Sequence, residues 1–166
     1  VLILFLSISS VALGQTPINI SPSETKANTG WETLKDDQFE ISYPSDWEVD
    51  KSGQMGTSFF LFSPLSDPTD NFKENINLMI QDLTGYNLTL DQFVEISENQ
   101  IKTMITDVDI NLSERNKNDK SEYQKMIYSG KQGTFDLKFE QFYWVIADKA
   151  YILTLTCKKD QFDDYQ

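Results

Sequence analysis

The sequence predicts an α+β domain in which antiparallel strands predominate and a helix covers one face of their sheet. Three observations carry this. Apolar residues alternate with polar ones at a period of two in several segments, the signature of half-buried strands. One segment, residues 89–105, instead repeats its apolar residues at helical spacing. Most links between these segments are short and carry Gly or Pro, which favours antiparallel pairing over crossover connections.

The strands follow in order. Phe39, Ile41 and Tyr43 alternate with Glu40 and Ser42, so residues 38–43 form a strand that Pro44 stops. Trp47 and Val49 suggest a short second strand, and Gly53 and Gly56 flank a turn. Residues 57–63 hold Phe59, Phe60, Leu61 and Phe62 and are apolar on both faces, so they belong in the sheet interior. Residues 64–71 are a polar loop with two prolines. Residues 75–83 alternate Ile76, Leu78 and Ile80 against Asn77, Met79 and Gln81.

The helix is the clearest element. Thr89-Leu90-Asp91-Gln92 fits a capping box, with the Thr89 hydroxyl and the Gln92 amide each satisfying a free N–H at the helix start. Leu90, Phe93, Val94, Ile101, Met104 and Ile105 fall on one face, and Asp91, Glu95, Glu98 and Lys102 on the other. Residues 107–112 then form a strand that leads into a polar run, 113–121. Residues 122–129 pair with it, and Gly130 and Gly133 make the next turn. Phe135, Leu137 and Phe139 alternate, but Phe142, Trp144 and Ile146 continue one residue out of phase, which predicts a β-bulge near Glu140 and Gln141. After a tight turn at 147–150, Tyr151, Leu153, Leu155 and Cys157 mark the last strand. Asp160 caps a helix from Gln161, one turn before the sequence ends, so the natural chain is expected to continue.

Bulk properties limit function. The 166 residues suit one domain, and 39% hydrophobic content supplies one core. A formal net charge of -12 opposes binding to phosphate backbones and to anionic headgroups. The acidity serves either solubility or an acidic face that docks a basic partner. The chain has no His, which removes the usual proton shuttle and the commonest metal ligand. Its single Cys157 rules out an intrachain disulfide and reads as a small buried hydrophobe.

Residues 1–14 carry no charge, run apolar from Val1 to Leu6 and end in small residues, which reads as a signal peptide cleaved after Gly14. A buried N-terminal strand is the alternative. Residues 15–30, rich in Pro, Ser, Thr and Asn, form a flexible leader, and residues 31–166 form the domain. The expected location is therefore periplasmic or secreted, with no stable membrane insertion once the signal is removed.

Phe39-x-Ile41-x-Tyr43-Pro44-x-x-Trp47, the strand–helix–strand order and the stretch Lys149-Ala150-Tyr151-Ile152-Leu153-Thr154-Leu155-Thr156 together resemble the PsbP/Mog1 superfamily. The resemblance spans roughly residues 31–166. It implies a curved antiparallel β-sheet with helices against it, and proteins that act by binding without a shared chemistry. The metal-binding His residues of plant members have no counterpart here, so no functional site carries over. The motif itself is read as structural, with Trp47 closing the core.

No catalytic constellation emerges. Without His the ordinary nucleophile triad is absent. The tight acid pairs Asp36-Asp37, Asp107-x-Asp109 and Asp163-Asp164 read as solvated turn or strand-end residues. Asp67, Asp70 and Asn71 do not follow a dedicated calcium loop. No catalytic residue, cofactor or metal site is therefore expected. The reading is a non-enzymatic binding or accessory protein of the bacterial cell envelope, with a protein or a small envelope ligand as partner. The alternative is an acid-only hydrolase of glycosidase type, which needs two carboxylates facing one cleft. Trp31, Tyr86, Tyr143 and Tyr165 are the aromatics expected to be left over from the core and so to form a contact surface.

Overall fold

A computed structural model describes residues 30–119 and 121–165. The proposed signal peptide and residues 15–29 of the leader lie outside the described residues. The elements are β1 (Trp31–Lys35), β2 (Glu40–Pro44), β3 (Glu48–Asp50), β4 (Thr57–Phe62), β5 (Asn75–Asp82), α1 (Leu90–Met104), β6 (Thr106–Lys117), β7 (Glu122–Gln132), β8 (Phe135–Ile146) and β9 (Lys149–Lys158). Seven strands form one sheet in the order β3-β4-β5-β9-β8-β7-β6, and β1 and β2 form a separate two-stranded sheet. Every pairing is antiparallel. After β5 the chain crosses through α1 to the far edge, then returns by three hairpins until β9 pairs with β5.

The sheet is covered differently on its two faces. Adjacent strand residues point to opposite faces. Met79 and Ile152 pack with Phe93, Val94 and Ile101 of α1, whereas their neighbours Leu78 and Leu153 pack with Leu34, Ile41 and Tyr43 of the β1–β2 hairpin. The helix thus covers one face and the hairpin covers part of the other. The expected second helix is a 3-10 turn, Phe162–Asp164, that buries Phe162 against Ile127, Leu155 and Cys157. One helix, with a hairpin in place of others, makes the domain more sheet-dominated than the sequence suggests.

The helix forms as its sequence requires. Thr89 Oγ1 accepts from the Gln92 N–H at 3.3 Å, and Gln92 Oε1 accepts from the Thr89 N–H at 2.9 Å. Phe93, Val94, Ser97 and Ile101 are buried along its inner stripe, while Met104, expected there, is 42% exposed in the last turn. Arg115 of β6 ties the helix start to the sheet, donating to Asp91 at 2.5 Å and Glu122 at 2.9 Å.

Three strand expectations need correction. β8 carries no bulge: it pairs without a break from Gln132↔Phe135 to Gln124↔Tyr143 and from Leu137↔Lys158 to Ile146↔Lys149. The change of phase arises because Phe135, Leu137 and Phe139 face the helix and Phe142, Trp144 and Ile146 face the other way. The register shifts lie in β4 and β6 instead. The polar residues 113–117 continue β6, because an outermost strand can meet water along its length. Gly130 lies inside β7 and makes no turn. The β8–β9 link is a two-residue loop, Ala147 and Asp148, with φ of 46° and 58°, the positive values that match the twist of a hairpin.

Trp47 precedes β3 half-buried, packed with the hairpin-side core and 6.0 Å from the Tyr165 ring. It closes the core from its rim. Trp47→Ala is therefore expected to cost about 2 kcal/mol, below the range for a fully enclosed aromatic ring. Urea unfolding measures it, and a loss near zero would place the ring outside the core.

Candidate functional site

The structure does not gather the four aromatics into one surface. Trp31, the first residue of β1, is 71% exposed, and Tyr86, in the turn before α1, is 51% exposed. Tyr143 is 1% exposed and contradicts its expected surface role. It stands on the helix side of β8, packs edge-on against Phe93 and donates its hydroxyl to Gln141 Oε1. Its alternation partner is Gln141, a polar residue that lies on the buried face, and this is why alternation misassigned it. Burial holds its phenol far above the usual value. Tyr165 is half-buried against Trp47, and burial, then the Glu74 charge, raises its phenol.

A surface group that sequence reasoning missed lies on the outer half of the sheet, on the face opposite the helix. Tyr123, Phe142 and Trp144 stand with ring centroids 5.7 to 6.0 Å apart, all half-buried. Lys125 lies 5.7 Å from the centre of the Phe142 ring and pairs with Glu140 at 2.5 Å. The signal was the phase change in β8, which puts Phe142 and Trp144 off the helix face.

The β1–β2 hairpin carries a second group. Leu34 and Tyr43 point inward and are buried, and the Tyr43 hydroxyl donates to Glu32 Oε2 at 2.9 Å. Outward, Trp31 pairs with Pro44, Thr33 with Ser42 and Lys35 with Glu40. Residues 31–50 hold seven acids against one lysine, a net charge of -6. Lys35 pairs with Glu40 at 2.6 Å and Lys73 with Glu48 at 2.8 Å. Among the described residues, Glu32, Asp36, Asp37, Asp46 and Asp50 have no ion-pair partner. This imbalance can be counted in the sequence; its spread along one hairpin, from the turn at Asp36 and Asp37 to the end where Trp31 lies opposite Pro44, cannot.

At the end of the sheet where β9 finishes, Asp70 and Lys158 form an enclosed ion pair, at 2.6 Å with side chains 2% and 21% exposed. Asp70 also accepts from the Ser66 and Phe72 N–H groups, and Asp67 accepts from Thr69. The oxygens of this loop are thus engaged by the protein itself. Lys158, then the Ser66 N–H, hold the Asp70 carboxyl well below its ordinary 3.8. A depressed carboxyl stabilises the fold above its unfolded value and loses that contribution as pH falls through the folded one. Lys158→Met is expected to cost about 2–3 kcal/mol at neutral pH, because the buried carboxylate loses its cation. It should also flatten the loss of stability below pH 4, measured by urea titration at several pH values. A steeper acid dependence in the variant would contradict the pairing.

Glu74, 1% exposed, lies beside this pair, its carboxylate accepting from Ser63 Oγ at 3.3 Å and from the Lys158 N–H at 3.4 Å. Cys157 is fully buried nearby; burial, then the charges of Glu74 and Glu140, push its thiol up to about 12. Such a thiol is protonated and shielded, so iodoacetamide should label it only after unfolding. Rapid labelling of the native protein, read by mass, would contradict this burial.

Thr134, Phe135, Asp136, Lys158, Lys159 and Asp160 line a shallow, open groove of about 610 Å3. Asp136 and Asp160 are exposed in it, with Lys159 exposed alongside. Open water and adjacent lysines are not the dry, facing carboxylates that glycoside hydrolysis uses. Among the described residues, no group of three or more acids, Cys or His is placed to hold a metal ion, and no helix is long and apolar enough to cross a membrane.

No family model matches this chain, and no curated protein matches it. Solved structures do. The cyanobacterial PsbP (CyanoP) of Synechocystis sp. PCC 6803 superposes with a TM-score of 0.60 at 15% identity, over 90% of this chain and 91% of that one. LpqN of Mycobacterium tuberculosis, involved in cell envelope biogenesis, superposes with a TM-score of 0.57 at 14% identity, over 73% of this chain and 71% of that one. PA94 of Pseudomonas aeruginosa, a protein of unknown function, gives 0.56 at 11% identity, over 81% and 88%. The fold is therefore PsbP-like, as the resemblance implied.

Proposed function

We propose that the protein is a non-catalytic binding or accessory module of the bacterial cell envelope, exported and acting through surface contacts. The observation that carries this reading is Trp31, a large aromatic side chain left 71% exposed on a hairpin laid over the sheet. Trp is the residue type most enriched among interface positions that dominate binding energy. The fold shared with LpqN and cyanobacterial PsbP, and the apolar stretch at residues 1–14, support an envelope or accessory role. Immobilised protein incubated with envelope extract of its own host tests the reading. Saturable retention of a defined component is expected. No saturable retention, together with glycan hydrolysis that Asp136→Asn or Asp160→Asn abolishes, would replace it with the acid-only hydrolase.

A further inference from the structure

We propose that the outer face of the β1–β2 hairpin docks a basic, extended segment of a protein partner, with Trp31 receiving a lysine or arginine side chain. This rests on the binding-module reading and names the partner's chemistry and the place where it binds.

Charge complementarity is the first ground. The net charge of -6 over residues 31–50 is half of the whole chain's -12. Asp36, Asp37 and Asp46 are exposed and have no ion-pair partner among the described residues, whereas Glu32 lies opposite Tyr43 on the inner side and accepts its hydroxyl. Carboxylates gathered in this way raise the local concentration of cations and steer a basic partner toward the face. The second ground is the aromatic ring. A Trp face attracts an ammonium or guanidinium group more strongly than Tyr or Phe does, and Trp31 makes no ring contact with another described aromatic residue. The third is backbone. Among the described residues, β1 and β2 pair only with each other, so no other described strand occupies their outer edges. An extended segment can add to such an edge through main-chain hydrogen bonds while its alternate side chains reach the ring and the acids.

Other occupants fit less well. Anionic lipid and nucleic acid meet like charge here. A second copy of the chain meeting this face through a two-fold axis would place acid against acid.

The test is titration of the protein with a short fluorescein-labelled peptide of alternating arginine and threonine, read by anisotropy and by backbone-amide NMR shifts. Binding should weaken as salt rises. Trp31→Ala should weaken it by roughly tenfold, as should the triple change Asp36→Asn, Asp37→Asn, Asp46→Asn. The control Asp160→Asn, Asp163→Asn, Asp164→Asn removes the same charge from the C-terminal turn and should leave binding unchanged. Shifts should centre on residues 31–50. No binding, an unaffected Trp31→Ala protein, or equal weakening by the two triple changes would overturn the proposal, the last by revealing diffuse attraction to an acidic protein. If the envelope extract still yields a saturable partner in that case, the docking face is wrong and the binding-module reading stands. If it yields none, both fail.

Discussion

Phe93→Ala is expected to lower unfolding free energy by about 3–5 kcal/mol, the range for removing an enclosed aromatic ring. Phe93 is fully buried, one turn into α1, and its ring meets Tyr143 edge-on at 6.3 Å. The helix spans the gap between β5 and the far edge strand β6, so the ring joins the two halves of the sheet through one cluster. Removing it leaves a cavity between helix and sheet that neither can close without moving the other. Urea unfolding of Phe93→Ala beside Glu95→Ala, an exposed position on the same helix, gives the comparison. The Glu95 change should stay within about 0.5 kcal/mol of the parent. Equal, small effects would mean that α1 is not docked where the core places it.

Gly130→Ala should cost about 3 kcal/mol, at the upper end of what overpacking does. A Cβ at Gly130 would stand 2.3 Å from Ile105 Cγ2 and 2.9 Å from the Thr106 carbonyl oxygen. Here Ile105, which caps α1, and the start of β6, whose register against β7 shifts between Thr106 and Asp109, crowd β7. Ile105 is itself buried, and the carbonyl belongs to the backbone, so neither moves aside cheaply. Gly56→Ala is the counterpart: its φ of 77° disfavours a side chain, but nothing lies within 4 Å of the added methyl. That change should cost about 1 kcal/mol, from backbone strain alone. If the order of the two is reversed, the close approach at Gly130 does not exist in solution.

The parts of the fold that local physics determines were readable before the structure. The helix was, because its capping box and apolar stripe are both encoded within sixteen residues. β5 was, because its period-two alternation of Ile76, Leu78 and Ile80 is long enough to mark a strand. The parts that depend on what lies opposite were not. Tyr143 looked like a leftover because Phe142 and Trp144 were assigned to the core, yet the helix claims Tyr143 and leaves those two on the open face. Gly130 looked like a turn because the close approach of the irregular start of β6 leaves no mark in the sequence other than a missing side chain. The run 113–117 looked like loop because an edge strand obeys no burial pattern. Of the proposed surface, Trp31 was identified from sequence, whereas its acidic setting needed the hairpin to be placed.

The most direct test of the docking face is a photo-cross-linking amino acid placed at position 31, and separately at 86, in protein incubated with host envelope extract. An adduct of defined mass is expected from position 31, lost at high salt, and none from position 86. An adduct at 86 with none at 31 would contradict the docking face.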